Sequence, residues 1–158
     1  MMRQIKRRLI CVDFDGVLHA YTSGWRGVAT IPDKPVPGAM AWLVDIIDVV
    51  DVAIYSTRSA SWRGRRAMRS WLEDYLAQYM WSRIPEANGA RSNRAWEFVV
   101  HRARSIARRR VQWPKTKPPA WLTLDDRCMR FRGIFPTDQQ LLSFRPWNIR
   151  FGDRQCSR

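Results

Sequence analysis

The segment Leu9-Ile-Cys-Val-Asp-Phe-Asp-Gly16 constrains the fold of this chain more than any other, because a short apolar run stops at two carboxylates and a glycine. A run of that length and composition reads as a buried parallel strand ending at a functional loop. Asp51-Val-Ala-Ile-Tyr55 repeats the pattern and stops at Ser56-Thr57-Arg58-Ser59, and Ala120-Trp-Leu-Thr-Leu124 runs into Asp125-Asp126. Helical spacing fills the intervals. Over 38–50 the apolar positions are Met40, Leu43, Val44, Ile47 and Val50, with Pro37 suited to the first turn. Over 62–79, Met68, Trp71, Leu72, Tyr75, Leu76 and Tyr79 share one face, with Ser59 or Ser61 as the N-cap. Arg94 to Arg110 reads as a basic amphipathic helix in which Trp96, like Trp71, is spaced as core, and a short helix is expected near Thr137 to Phe144. The Gly- and Pro-rich stretch 17–37 is a long loop or flap. Strands alternating with helices predict a three-layer α/β domain with a mostly parallel sheet and helices on both faces. Ligands of such sheets bind beyond the carboxyl ends of the strands, which gathers Asp13, Ser56 and Asp125-Asp126 at one edge.

A length of 158 residues, 46% of them hydrophobic, fits a single domain over 1–158, with a basic helical region at about 60–113 and a C-terminal tail at about 145–158. The apolar run Leu9 to Val12 is too short for a signal-peptide core or a spanning helix, so no membrane association and a cytoplasmic location are expected. Cys11, Cys128 and Cys156 are odd in number and lack metal-ligand spacing, which reads as thiols in a reducing compartment. A formal charge of +14 implies acidic partners.

In an extended segment Asp13 and Asp15 face one side while Phe14 packs the other way. Two carboxylates in one site repel each other unless a cation or a shared proton offsets the charge, and their hard oxygens suit Mg²⁺. Asp125-Asp126 adds a second acidic pair, and Lys115 and Lys117 lie just upstream of it. Metal ligands, a nucleophile and cationic neutralisation together are what phosphoryl transfer requires.

With these residues in order, the chain resembles the haloacid dehalogenase (HAD) superfamily: Asp-x-Asp-Gly-Val after an apolar strand, a strand ending in Ser56, a lysine, and a strand ending in an acidic pair. The resemblance runs from Leu9 to Arg127, and Phe144-Arg-Pro-Trp147 also looks like small phage and bacterial members. It implies a Rossmann-like fold and an Mg²⁺-dependent phosphomonoester hydrolase. Asp13 would form an aspartyl-phosphate, and Asp15 would act as acid and then base. Ser56 would hydrogen-bond a phosphoryl oxygen. Mg²⁺ would be held by Asp13, the Asp15 backbone carbonyl and Asp125 or Asp126. Lys117 has the Lys-Pro-x-Ala context of small phage members, while Lys115 has the spacing of deoxyribonucleotidase-like relatives; Lys117 is favoured as the motif lysine. Ser56-Thr57-Arg58 resembles the Ser-Gly-Arg of polynucleotide kinase phosphatase domains, with Thr57 in place of glycine, so Ser56, Thr57 and Arg58 join Gly16 as expected substrate contacts. The other reading of Arg58 is that it neutralises the acidic strand end at Asp125-Asp126. His19 and His101 are expected to be non-catalytic, since this chemistry uses no histidine.

Neither gap between motifs seats a full cap domain, and an open site favours a large or chain-end substrate. Arginines from Arg63 to Arg69 and from Arg91 to Arg110 could track a nucleic-acid backbone, and Trp25, Trp62 and Trp113 could stack on unpaired bases. A phosphatase of nucleic-acid ends and a nucleotide or small-metabolite phosphatase are both compatible with these features. A nucleic-acid-binding module with an inactive site is the alternative from another class.

Overall fold

The structure, a computed structural model, describes residues 8–86, 90–111, 122–125, 135 and 137. It is an α/β fold whose sheet is all parallel in the order β2-β1-β3, with β1 at Leu9–Asp13, β2 at Asp51–Tyr55 and β3 at Leu122–Leu124. Val111 bridges in parallel to Ile54 on the outer side of β2. The central strand explains the apolar run, since Ile10, Cys11 and Val12 are wholly buried.

Register fixes the functional edge. Asp13 lies opposite Tyr55, and Val12 lies opposite Leu124, so Asp13, Ser56 and Asp125 leave the sheet side by side at its carboxyl edge. The flap is irregular, as the glycines and prolines predict, and is fastened to β1's end through bridges of His19 with Asp15 and Pro35.

Helix α1 spans Ala39–Ile46 behind an N-cap at Gly38, so Pro37 falls before the helix, and the chain turns at Ile47 to Val50 where a helix to Val50 was expected. The β-branched Ile46, Ile47, Val49 and Val50 are poor helix formers, and the backbone must reverse before Asp51 enters β2. A short 3₁₀ turn, Thr57–Ala60, leads into α2, Trp62–Ser82. Ser61 caps α2 by accepting from the Gly64 N–H at 3.0 Å. Helix α3, Asn93–Arg110, is capped by Ser92, which accepts from the Ala95 N–H. Glu73 pairs with Arg104, and Trp81 meets Trp96, so α2 and α3 run antiparallel.

Met68, Trp71, Leu72 and Leu76 of α2 and Val99, Ala103, Ile106 and Ala107 of α3 join the core. Trp96 departs from its expected core position. It is 41% exposed, because the narrow buried stripe of α3 begins at Val99 and the indole, one turn earlier, rests edge-on against Trp81 at the rim. The expected helix near Thr137 to Phe144 and the tail lie outside the described residues. Among the described residues no helix is long and apolar enough to cross a membrane.

Candidate active site

Asp13 ends β1, and its Oδ1 accepts the Phe14 N–H at 2.7 Å, which aims the carboxylate along the edge of the sheet. Phe14 turns into the core and is wholly buried, stacked near His19 and edge-on to Trp71. The chain then bends back: Leu18 and His19 donate their N–H groups to the Phe14 carbonyl, and Gly16 donates to the His19 carbonyl at 2.8 Å. Gly16 sits at φ 84°, a left-handed conformation that side chains disfavour, so the residue type is set by this reversal.

The reversal brings Asp15 into a clamp. Arg58 Nε donates to both of its oxygens, at 3.1 and 2.9 Å, Ser56 Oγ donates to Oδ2 at 3.2 Å, and His19 Nδ1 lies 2.9 Å from Oδ1. Burial alone would raise the Asp15 carboxyl, but hydrogen bonds from His19 and Arg58, with the Arg58 charge, outweigh it and hold the group below its ordinary value. Asp15 is therefore a carboxylate here.

Arg58 is wholly buried. Its Nη1 donates to the carbonyls of Gly27, Val28 and Thr30 in the flap, and its guanidinium lies 4.5 Å from the centre of the Trp25 ring. Nη2, which shares a guanidinium edge with Nε and so lies on the Asp15 side, is buried without a hydrogen-bond partner in the described structure. Thr57 is exposed at the start of the 3₁₀ turn, and Ser56 is buried, its hydroxyl also accepting the Arg58 N–H.

On the other side of β1, Tyr55 Oη donates to Asp125 Oδ2 at 2.6 Å. Burial first, then this hydrogen bond and the Asp13 and Asp125 charges, push the phenol far above its ordinary value, so it remains a donor. Asp13, Asp15, Ser56, Arg58 and Asp125 thus meet at one edge. Lys115, Lys117 and Asp126 lie outside the described residues.

Two site residues escape a reading of the sequence. His19, expected to be non-catalytic, is wholly buried with Nδ1 on Asp15, and its Nε2 is 3.3 Å from the Asp33 N–H. That N–H donates to Nε2, so Nδ1 carries the proton and donates to Asp15. The spacing of four residues from Asp15 across a glycine turn was the available signal. Tyr55 is the other; its place beside Ser56 at a strand end could have marked it.

Asp13, Asp125 and the Asp15 carbonyl offer hard oxygen donors. Among the described residues no group of three or more His, Cys, Asp or Glu side chains stands ready for a metal. That donor set still suits Mg²⁺, which takes one or two carboxylates and completes its shell with water and substrate phosphate. Residues 9–145 match the family model described as the HAD domain in Swiss Army Knife RNA repair proteins. No curated protein and no solved structure matches the chain.

Proposed function

Because the chain belongs to the family of HAD domains in Swiss Army Knife RNA repair proteins, phosphatase-type hydrolases, we propose that it hydrolyses terminal phosphomonoesters of nucleic acids with Mg²⁺ through an aspartyl-phosphate. The observation that carries this reading is the meeting of Asp13, Asp15, Ser56 and Asp125 at the carboxyl edge, with a buried guanidinium N–H pair, Arg58 Nη2, on the Asp15 side.

Asp13 attacks phosphorus as the bond to the leaving oxygen breaks, and Asp15 gives that oxygen its proton. Asp15 then takes a proton from the water that attacks the acyl phosphate, which releases inorganic phosphate and restores Asp13. The clamp keeps Asp15 in the form that activates water. For the first step it must take up a proton, which an approaching phosphate dianion favours by like-charge repulsion. Arg58 Nη2, which has no hydrogen-bond partner in the described structure, and Ser56 Oγ, once its proton turns from Asp15 Oδ2, would donate to phosphoryl oxygens. Asp13, Asp125 or Asp126, and the Asp15 carbonyl would hold Mg²⁺, which when bound neutralises charge on the phosphoryl group. Lys117 or Lys115 would share that task, and Tyr55 keeps Asp125 oriented.

Turnover of a 3′-phosphorylated oligonucleotide by wild type, Asp13→Asn and chelator-treated protein tests the reading. Asp13→Asn and chelation should each abolish phosphate release. Full activity in the variant would exclude Asp13 as nucleophile, and a much higher kcat/KM on a nucleoside monophosphate would exclude nucleic-acid ends as the preferred substrate.

A further inference from the structure

Outside the carboxylate edge, two shallow pockets pair aromatic rings with arginines. The one of about 360 Å³ lies between Trp81, Arg91, Ser92, Asn93 and Trp96. Its rings already pack edge-on against each other at 5.2 Å, and Arg91 is bound to the Ile84 carbonyl and to Glu86. The other, of about 290 Å³, lies where the flap meets the first turns of α2 and is lined by Ala29, Trp62, Arg63, Arg66, Ala67 and Ser70.

This second pocket differs in three respects. Trp62 is 61% exposed, with the Arg63 guanidinium 5.8 Å from its ring centre. Arg63 and Arg66 form no ion pair with a described residue, whereas Arg102, Arg104 and Arg110 of α3 are paired with Asp48, Glu73 and Asp51. Its flap wall, Ala29, stands between Val28 and Thr30, whose carbonyls hold the arginine that clamps Asp15. The wall is thus tied through its two flanking peptide groups to the arginine that clamps Asp15. Its volume falls at the lower limit of the ~300–1,000 Å³ of small-molecule sites, room for one planar ring system in an open setting.

We propose that this pocket is a subsite for an unpaired nucleobase of the substrate strand, with Trp62 as the stacking face and Arg63 and Arg66 on the flanking phosphates. The proposal rests on the reading of nucleic-acid ends as substrate. An aromatic face takes any base, so the subsite selects for unpaired strands and not for sequence. The cations at its rim, in no ion pair with a described residue, match the charge of the backbone.

Binding of a fluorescent single-stranded oligoribonucleotide without terminal phosphate, followed by anisotropy on the full chain, tests the subsite independently of turnover. Trp62→Ala should weaken binding at least about fivefold, the stacking energy per base converted to affinity. Arg63→Gln with Arg66→Gln should reduce the slope of log affinity against log salt by about 1.4, as for two phosphates on a single strand. A blunt duplex should bind more weakly than the single strand, and Phe98→Ala, an exposed aromatic on α3, should bind like wild type. Unchanged binding by Trp62→Ala, an equal loss in Phe98→Ala, or equal affinity for the duplex would each overturn the subsite. Failure to release phosphate from any phosphomonoester would instead overturn the phosphatase reading while leaving the binding result intact.

Discussion

An arginine taken wholly out of water must recover its hydration from fixed partners, and Arg58 does so with one carboxylate and three carbonyls. Removing the carboxylate leaves an uncompensated buried charge, so Asp15→Asn should cost roughly 3–5 kcal/mol at neutral pH, towards the lower figure because the amide oxygen still accepts. The pH dependence follows from the depressed Asp15 carboxyl. Stabilisation is complete above the ordinary value of 3.8 and is lost as pH falls through the lower folded value. Thermal melts between pH 5 and pH 2.5 should therefore fall less steeply for Asp15→Asn than for wild type, and parallel slopes would remove Asp15 from that role. The carboxylates were legible because strand ends follow from where apolar runs stop. The His19 contact was not, since it depends on how the chain reverses after Gly16, and the Tyr55 contact depends on register across an intervening strand.

Among the elements, α2 is held unusually close to what precedes it. A Cβ on Gly64 would stand 2.0 Å from the Arg58 carbonyl oxygen and 2.9 Å from Val28 Cγ2. Gly-to-Ala inside a helix ordinarily gains about 1 kcal/mol. Here the obstacle is backbone, so α2 must shift away from the 3₁₀ turn, and overpacking of this kind costs about 1–3 kcal/mol. Gly64→Ala should lower Tm and reduce turnover by displacing Arg58; an unchanged or raised Tm would show that α2 can move without cost. Helix α2 was largely visible in its spacing and in Ser61, whereas the end of α1 was not, because Val49 and Val50 continue the apolar pattern of the helix as the chain turns into β2. Trp96 shows the same weakness of spacing: periodicity finds the stripe but not where the neighbouring helix stops covering it.

For the whole molecule, a formal charge of +14 on 158 residues means that folding concentrates like charge. The ion pairs that join α3 to Asp48, Glu73 and Asp51 lie at exposed or half-buried surface positions and offset little of it. Screening should therefore stabilise the fold: Tm at pH 7 should rise as NaCl goes from about 20 to 300 mM, with the Debye length falling below ~10 Å. A fall would mean that the surface ion pairs outweigh the general repulsion. In the flap, Arg58 hydrogen-bonds only peptide oxygens, those of Gly27, Val28 and Thr30, and meets one side chain, the Trp25 ring. Every residue type supplies such an oxygen. Descendants of this chain could thus rewrite the side chains at Ala29 and Thr30, and with them the flap wall of the proposed subsite, without loosening the grip. A change at Arg58 itself would release Gly27 to Thr30 together, while the bridge of His19 to Pro35 still held the rest of the loop.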